Sequence, residues 1–178
     1  MNNLLFTHDA VMQALDRMAE HIQSAHGKSD APICLIGIHT GGANVADALQ
    51  TRLEQAGATV MRGNLDISFY RDDLDLNGPH PQIHSSDLSF DINNQPLWLI
   101  DDVLFTGRTI RAAMGELFDF GRPESISLVV LLDRGGRELP IQADFSGLYH
   151  QPESKQQSIK LLAHADHWTI IEQPRSLA

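Results

Sequence analysis

Three continuous apolar runs, separated by segments with helical spacing, constrain the fold of this chain more than any other feature. The runs are residues 33–38, 97–100 and 126–132, and only Ser127 interrupts the last one. A strand that is apolar at every position must be covered on both faces, and right-handed crossovers between parallel strands place helices on both. The sequence therefore predicts an α/β fold with a mainly parallel central sheet and helices on both faces.

The segments between these runs show the spacing of helices. The first segment is predicted to be an amphipathic helix that ends at Gly27. Its apolar residues recur at helical intervals, namely Val11, Met12, Leu15, Met18, Ala19 and Ile22. Two further helices are predicted, one over roughly 44–56 and one over 108–120 before Gly121. Glycine commonly ends a helix because it adopts the left-handed conformation that closes the last turn.

Two weaker patterns predict further strands. Residues 65–70 alternate apolar and polar side chains, which is typical of a strand with one buried face. Residues 158–163 and 168–171 are predicted to pair as a hairpin. This hairpin would belong to a small C-terminal appendage, about residues 148–178, on a single domain that spans residues 1–178.

Charge and cysteine content narrow the classes of partner. Thirteen Lys and Arg against 23 Asp and Glu give a net charge of -10, which argues against broad attraction to nucleic acid or anionic membrane. A polyphosphate would need local amides, a few arginines and a metal ion. The single Cys34 excludes an internal disulfide and suggests a reducing compartment. Without a signal peptide pattern or an apolar run of roughly 18 residues, we expect a cytoplasmic protein with no membrane partner.

Four polar or glycine-rich segments follow the predicted strands. They are residues 39–42, 70–88, 101–109 and 133–139. In a parallel sheet the carboxyl ends of the strands meet at one edge, where ligands bind. A loop as long as 70–88 inside a compact domain is usually functional or disordered.

The segment 101–109 carries the most specific chemistry. Asp101 and Asp102 can accept hydrogen bonds from ribose hydroxyls or hold the water shell of magnesium. Backbone N–H groups and hydroxyls of residues 106–109 can surround a phosphate at the start of a helix. A helix cap or a solvated acidic pair would explain either feature alone, and a metal-only site would leave the phosphate-binding turn unused.

Residues 99–109, LIDDVLFTGRT, resemble the phosphoribosyl pyrophosphate motif of type I phosphoribosyltransferases. More narrowly, they are similar to the PyrR family of pyrimidine-operon regulators and uracil phosphoribosyltransferases. Three further stretches are similar to the same family, namely 65–74 (LDISFYRDDL), 119–123 (DFGRP) and 132–140 (LDRGGRELP). The resemblance covers roughly residues 30–147 and implies the type I phosphoribosyltransferase fold, with a mobile hood over about residues 71–89.

The resemblance also implies roles for individual residues. Asp101, Asp102 and Arg71 would be catalytic, and the two carboxylates would hold Mg²⁺ indirectly, through ribose or water. The residues that would bind phosphoribosyl pyrophosphate and UMP are Thr40, Gly41, Gly42, Asp101, Asp102, Val103, Leu104, Phe105, Thr106, Gly107, Arg108, Thr109, Arg134 and Arg137.

Alternatives stay open for three of these assignments. Taken without the resemblance, residues 38–42 are equally well a plain strand-to-helix turn. Arg71 can pair with Asp72 or Asp73 on the surface instead of serving pyrophosphate. Residues 133–137 can form a solvated loop of mixed charge.

The activity that the resemblance implies is transfer of a phosphoribosyl group to uracil, which gives UMP and pyrophosphate. Purine-using relatives commonly carry an Asp three residues after the second acid, and Phe105 occupies that place here. The family further suggests a homo-oligomer, either a dimer or a larger assembly.

The alternative is a UMP-responsive, RNA-binding attenuation regulator of pyrimidine genes, with or without the enzymatic activity. This chain departs from members that bind RNA: Gly136 stands where the family often has His, Gly41 stands where an Arg commonly follows Thr, and the tail from Leu148 onward differs. A basic face would have to come from Arg17, His21, Arg134 and Arg137. We favour the enzyme over RNA binding.

Overall fold

Eight strands and three helices form within the residues that the computed structural model describes, which are 3–27, 31–67, 86–154 and 156–174. In chain order the elements are β1 (Asn3–Phe6), α1 (His8–His26), β2 (Ile33–Ile38), α2 (Gly41–Gln55), β3 (Val60–Leu65), β4 (Pro96–Leu104), α3 (Arg108–Phe120), β5 (Ser125–Asp133), β6 (Phe145–Tyr149), β7 (Gln157–His164) and β8 (His167–Pro174).

The central sheet has five strands in the order β3-β2-β4-β5-β6. Every neighbouring pair in it is parallel. Along β4, Trp98 and Ile100 pack with α1 and α2, while Leu97 and Leu99 pack with α3. Alternate residues of a strand point to opposite faces, so this division places helices on both sides of the sheet. The predicted fold class is therefore confirmed, and so is its cause in the continuous apolar strands.

A second, smaller sheet has the order β1-β8-β7 and is antiparallel. Its β7-β8 hairpin matches the predicted pairing of 158–163 with 168–171, in register from Gln157 opposite Pro174 to His164 opposite His167. β1 was not predicted, since four residues at one end of a chain carry too little pattern. Ile159 and Ile170 of this sheet pack in the same core cluster as α1.

One predicted strand needs correction, and one further strand was missed. The strand predicted over residues 65–70 lies over Val60–Leu65, because β3 pairs with β2 residue by residue and ends opposite the end of β2 at Ile38. Asp66 and Ile67 follow it outside any strand, and residues 68–70 lie outside the described residues. β6 was missed, because this short strand at the sheet edge is only partly apolar.

The helices agree closely with the sequence. α1 ends where Gly27 adopts a φ of 72°, and Thr7 caps its start by accepting a hydrogen bond from the Ala10 amide at 3.5 Å. α3 has the predicted bounds. α2 begins at Gly41 rather than near residue 44. Its first two residues are glycines because they lie directly against β4, as described below.

Most of the predicted hood lies outside the described residues, and Arg71 lies there too. Its last residues run along β3, where Asp87 pairs with Asn64. The hydroxyl of Ser86 accepts a hydrogen bond from the Asp66 amide at 3.1 Å and donates one to Glu116 at 3.0 Å. This end of the segment is therefore fixed to the edge strand and to α3.

Two further findings concern the single cysteine and the helices. Cys34 is almost fully buried in β2, and this burial raises the pKa of its thiol. In the described part of the chain, no helix combines the length and the apolar character that crossing a membrane requires.

Candidate active site

The carboxyl ends of β2, β4 and β5 bring together three of the four polar segments that the sequence singled out. We call them the Gly41 turn (residues 39–42), the phosphate turn (residues 105–109) and the Asp133 loop (residues 133–141). The Gly41 turn contacts the end of β4, and the Asp133 loop is hydrogen-bonded to both β4 and the phosphate turn. The expected meeting of these segments at one edge of the sheet is thus confirmed.

Asp101 and Asp102 lie inside β4, which continues to Leu104, and not directly after a strand as expected. Consecutive residues of a strand point to opposite faces, so the two carboxylates leave the backbone in different directions. Asp101 is 5% exposed and accepts a hydrogen bond from the Asp102 amide at 2.9 Å. Asp102 is partly exposed, which makes it the more accessible carboxylate of the pair.

The Gly41 turn is pressed against these two residues. A Cβ atom at position 41 would overlap the carboxylate of Asp102, and one at position 42 would lie 2.5 Å from the carbonyl oxygen of Ile100. Helix α2 therefore starts on two glycines because no side chain fits between its first turn and β4. The sequence was interpreted as a loop here, since glycine weakens helices in general. The peptide bond between His39 and Thr40, just before α2, is cis.

Arg62 of β3 supports the start of α2 from the side, which the sequence did not reveal. Its guanidinium donates hydrogen bonds to the Ala43 carbonyl at 3.0 Å and to Asn64 Oδ1 at 2.8 Å, and it forms an ion pair with Asp47 at 3.0 Å. Burial lowers the pKa of Arg62, and the neighbouring Asp47 carboxylate works against that shift. A long cationic side chain can bind many partners, so its spacing in the sequence gave no signal.

The phosphate turn leads directly into α3. Gly107 has a φ of 91°, the left-handed region that favours glycine, and the Thr106 hydroxyl accepts a hydrogen bond from the Arg108 amide at 3.3 Å. Thr109 lies in the first turn of the helix and is partly exposed. Backbone N–H groups at a helix start attract anions, so the turn has the local structure that phosphate binding requires.

Two of the predicted ligand-binding residues can take part only through their backbone. Leu104 is 1% exposed in the core between the sheet and α3, and Val103 packs against the core on the other face. Thr40 and Arg108 are exposed, and Arg108 forms an ion pair with Glu138 at 3.0 Å.

The Asp133 loop folds back over Phe105. The guanidinium carbon of Arg134 lies 3.9 Å above the centre of the Phe105 ring, and Arg134 Nη2 donates to the Gln157 carbonyl at 3.0 Å. Gly136, with a φ of 75°, contacts the same ring, because a Cβ atom at that position would lie 2.7 Å from Phe105 Cε2. Arg134 is only 5% exposed, so most of its surface is covered by protein groups.

Asp133 was not among the predicted site residues, yet it organises this loop. Its Oδ1 accepts a hydrogen bond from the Gly135 amide at 2.8 Å, and its Oδ2 binds Arg137 Nη2 at 2.5 Å. A spacing of four residues indicates an ion pair on a helix, and residues 134–137 lie outside any helix, so the sequence gave no signal for this pair. Arg134 and Arg137 had both been expected to contact the ligand.

Comparison with known proteins agrees with this geometry. Residues 2–164 match the phosphoribosyl transferase domain family. The bifunctional protein PyrR of Caldicellulosiruptor bescii is 46% identical over 165 residues, which are 90% of each chain. The one from Deinococcus radiodurans is 42% identical over 170 residues, 94% of this chain and 92% of that one. The one from Pseudomonas aeruginosa PAO1 is 57% identical over 112 residues, 63% and 64% of the two chains.

Solved structures show the same fold at low identity. The hypoxanthine phosphoribosyltransferase of Trypanosoma cruzi superposes with a TM-score of 0.70 at 18% identity, covering 94% of this chain and 95% of that one. The enzyme of the same name from Staphylococcus aureus gives a TM-score of 0.64 at 22% identity, covering 85% and 79%.

Proposed function

The chain belongs to the PyrR family of type I phosphoribosyltransferases and is a pentosyltransferase, and on that premise we propose that it converts uracil and phosphoribosyl pyrophosphate to UMP and pyrophosphate. The observation that carries the proposal is the contact between the Gly41 turn and Asp102, with the phosphate turn a few residues further along the same strand end. One substrate that carries a 5′-phosphate, ribose hydroxyls and a pyrophosphate would use the phosphate turn, Asp102 and the Gly41 turn together.

We assign the substrate groups along this edge as follows. The 5′-phosphate lies on the phosphate turn, where Thr106, Gly107, Arg108 and Thr109 offer amides and hydroxyls. Asp101 and Asp102 accept hydrogen bonds from the ribose hydroxyls. Pyrophosphate lies by the Gly41 turn, where the backbone N–H groups at the start of α2 lie next to Asp102. Thr40 and Arg71 serve the same group.

In the proposed reaction, uracil N1 forms a bond to the anomeric carbon of the ribose while the bond from that carbon to pyrophosphate breaks. The bonding electrons leave with pyrophosphate, the N1 proton is released, and the ribose passes through a state with oxocarbenium character. The protein contributes by holding the two reactants in line and by stabilising the departing charge. Carboxylates near the ribose also favour the positive charge that develops on its ring.

The donor set fits a magnesium ion that is held mainly by substrate. Among the described residues, no three His, Cys, Asp or Glu side chains lie together as a metal-binding group. The site offers a metal ion the carboxylates of two consecutive residues, Asp101 and Asp102. Mg²⁺ usually keeps several waters and binds through one or two carboxylates plus phosphate oxygens. The ion would neutralise charge on the departing pyrophosphate.

Phe105 supports a pyrimidine base over a purine. Phe105 occupies the sequence position at which purine-using relatives commonly have an Asp, and the Arg134 guanidinium lies over one face of its ring. The Phe105 ring lacks the carboxylate with which the Asp of those relatives can engage a purine. Uracil is therefore the base that we propose, with Arg134 and Phe105 bordering its place in the site.

A parallel assay with four bases tests the substrate assignment. Turnover with magnesium and phosphoribosyl pyrophosphate is measured with uracil, orotate, hypoxanthine and adenine. We expect product only, or overwhelmingly, with uracil. A preference for any other base would contradict the uracil assignment and leave the family membership intact.

Replacement of Asp102 tests the assignment of the site. Asp102→Asn keeps the shape of the side chain but removes its charge, so we expect kcat/KM for phosphoribosyl pyrophosphate to fall by roughly 10²-fold. An unchanged melting temperature would show that the fold is intact. Wild-type turnover in this variant would refute the assignment.

RNA binding is the second candidate function, and the observation that favours it is the word "bifunctional" in the names of the relatives. The four residues considered for a basic face are all engaged elsewhere: Arg17 donates to the Gly147 carbonyl at 2.8 Å, His21 stacks on Phe145, and Arg134 and Arg137 bind protein groups. We therefore keep the enzyme as the proposal. Tight, UMP-dependent binding of a pyrimidine-operon leader RNA, titrated at several salt concentrations, would reverse that preference.

We further propose that the protein assembles as a dimer or a larger homo-oligomer, as the family resemblance implies. Light scattering during gel filtration measures the molar mass of the particle. A mass of 19.7 kDa at working concentrations would contradict the proposal.

A further inference from the structure

The guanidinium of Arg137 binds acceptors on two separate segments. Nη1 donates to the Phe105 carbonyl at 2.8 Å and more weakly to the Leu104 and Gly135 carbonyls, each at 3.4 Å. Nε donates to the Ile141 carbonyl at 2.9 Å, and Nη2 binds the Asp133 carboxylate at 2.5 Å. Arg137 thus links the end of β4 and the phosphate turn to both ends of the Asp133 loop.

Backbone carbonyls of the phosphate turn are held by protein donors, one after another. The Leu104 carbonyl accepts from the Arg134 amide at 3.1 Å, and the Thr106 carbonyl accepts from the amides of Glu138 and Leu139 at 3.0 and 3.1 Å. The Gly107 carbonyl accepts from the Arg111 amide at 2.9 Å. The remaining carbonyl in this run, that of Phe105, is held by Arg137.

A carbonyl oxygen that faces a phosphate repels it, whereas an amide N–H attracts it. A turn binds an anion well only when its carbonyls are directed away from the anion and its amides toward it. Backbone donors hold the carbonyls of Thr106 and Gly107, and these donors remain whatever side chains are present. The Phe105 carbonyl differs, because a side chain holds it.

We infer that Arg137 is a positioning residue, which directs the Phe105 carbonyl away from the 5′-phosphate and thereby keeps the amides of the phosphate turn directed toward it. This inference rests on the proposed function, and it replaces the expectation that Arg137 contacts the base or a phosphate directly. The side chain is 22% exposed and its Asp133 partner 18%, in keeping with a guanidinium turned into the protein.

The geometry demands arginine rather than a positive charge alone. A guanidinium presents five N–H donors in a rigid, planar fork, which matches acceptors on several sides at once. A lysine ammonium is a point charge with three donors and cannot reach the carbonyls of Phe105 and Ile141 together with Asp133. Arg137→Lys therefore separates positioning from simple charge.

The test uses two ligands that differ only in the phosphate. UMP and uridine are titrated calorimetrically into the wild-type protein and into Arg137→Ala, and the ratio of their affinities measures what the phosphate contributes. We expect the ratio to fall about tenfold or more in Arg137→Ala, because the turn loses its aligned amides, while uridine affinity changes little. Arg137→Lys should also show a lowered ratio. If Arg137→Ala does not fold, Arg137→Gln takes its place.

Arg52→Ala is the matched control for loss of stability. Arg52 is 23% exposed, binds the Asp16 carboxylate at 2.7 Å and the Ala48 carbonyl at 3.1 Å, and lies between α1 and α2, away from the site. We expect it to lower the melting temperature without changing the ratio of UMP to uridine affinity.

Several results would overturn the inference. They are an unchanged ratio in Arg137→Ala, an equal loss of affinity for both ligands, full recovery in Arg137→Lys, or a fall of the same size in Arg52→Ala. A wild-type protein that binds neither UMP nor uridine would instead contradict the proposed function. Ribose 5-phosphate and ribose would then replace the two ligands, with the same expectation for the variants.

Discussion

At the scale of single residues, the site depends as much on missing side chains as on charged ones. Gly41 and Gly42 let the first turn of α2 lie directly on Asp102 and on the backbone of β4. Gly107 and Gly136 adopt left-handed conformations next to Phe105 and the start of α3. These glycines let the Gly41 turn lie close to β4 and the Asp133 loop lie close to Phe105.

Gly41→Ala tests this close contact. The new Cβ atom would overlap the Asp102 carboxylate, which must then move, and a displacement of about 1 Å at a reacting group can lower rates by roughly 10²-fold. We expect kcat/KM for phosphoribosyl pyrophosphate to fall by about that factor, measured in the magnesium-dependent assay.

The control for Gly41→Ala is Gly115→Ala in α3, where a Cβ atom meets nothing within 4 Å. Alanine there should keep turnover unchanged and raise the free energy of unfolding by about 0.5–1 kcal/mol, since glycine is a poor helix former. Normal turnover in Gly41→Ala would show that the contact with Asp102 is not needed.

The sequence predicted part of this residue-level arrangement. Asp101, Asp102 and the turn that follows stood out because two carboxylates and a Thr-Gly-Arg-Thr turn rarely come directly after a buried strand. The partners of Arg134 and Arg137 could not be predicted. A long, flexible side chain reaches ligands, carbonyls and aromatic rings equally well, and only the folded backbone decides which acceptors lie within reach.

At the scale of elements, the site lies where the carboxyl ends of β2, β4 and β5 meet. The Asp133 loop joins β5 to β4, and the start of α2 contacts β4. Arg62 is the clearest such connection outside the site itself, since it joins β3 to the first turns of α2 through Ala43 and Asp47. The first turns of α2 therefore contact β4 through Gly41 and Gly42 and are joined to β3 through Ala43 and Asp47.

Arg62→Ala should loosen that connection. The Ala43 carbonyl and Asn64 would lose a buried donor, so we expect the free energy of unfolding, measured in urea, to fall by about 2 kcal/mol. Arg111→Ala removes an exposed arginine from α3 and should change it by less than about 0.5 kcal/mol. Equal effects in the two variants would argue against the structural role of Arg62.

Long elements were easier to predict than short ones, for physical reasons. A buried strand or an amphipathic helix repeats its pattern often enough to be recognised, as α1, α3 and β5 show. β1 and β6 are short strands at sheet edges, where half-buried positions accept many residue types. The position of β3 was predicted too late in the chain because its register is set by pairing with β2, and the sequence does not display that pairing.

At the scale of the whole molecule, two sheets share one core. Ile159 and Ile170 from the small sheet pack with α1, and α1 packs in turn on the central sheet. We therefore propose that the chain is a single domain and that the C-terminal hairpin is part of it, more than an appended flap.

The two tryptophans allow a direct test of this proposal. Trp98 lies in β4 of the central sheet and Trp168 in β8 of the small one. In Trp98→Phe and Trp168→Phe, the remaining tryptophan reports one sheet. We expect its fluorescence and the far-ultraviolet circular dichroism of the same variant to change at one urea concentration. Earlier loss of the Trp168 signal would mean that the small sheet unfolds separately.

The Asp133 loop holds the end of β4 and the phosphate turn with its main-chain amides. The length of the loop is therefore more constrained than its side chains. The Arg134 amide donates to the Leu104 carbonyl, and the amides of Glu138 and Leu139 donate to the Thr106 carbonyl. An insertion or deletion within the loop would move these amides away from the carbonyls that they hold, and so disturb the phosphate turn. We therefore expect the loop to tolerate exchanged side chains better than a change in its length.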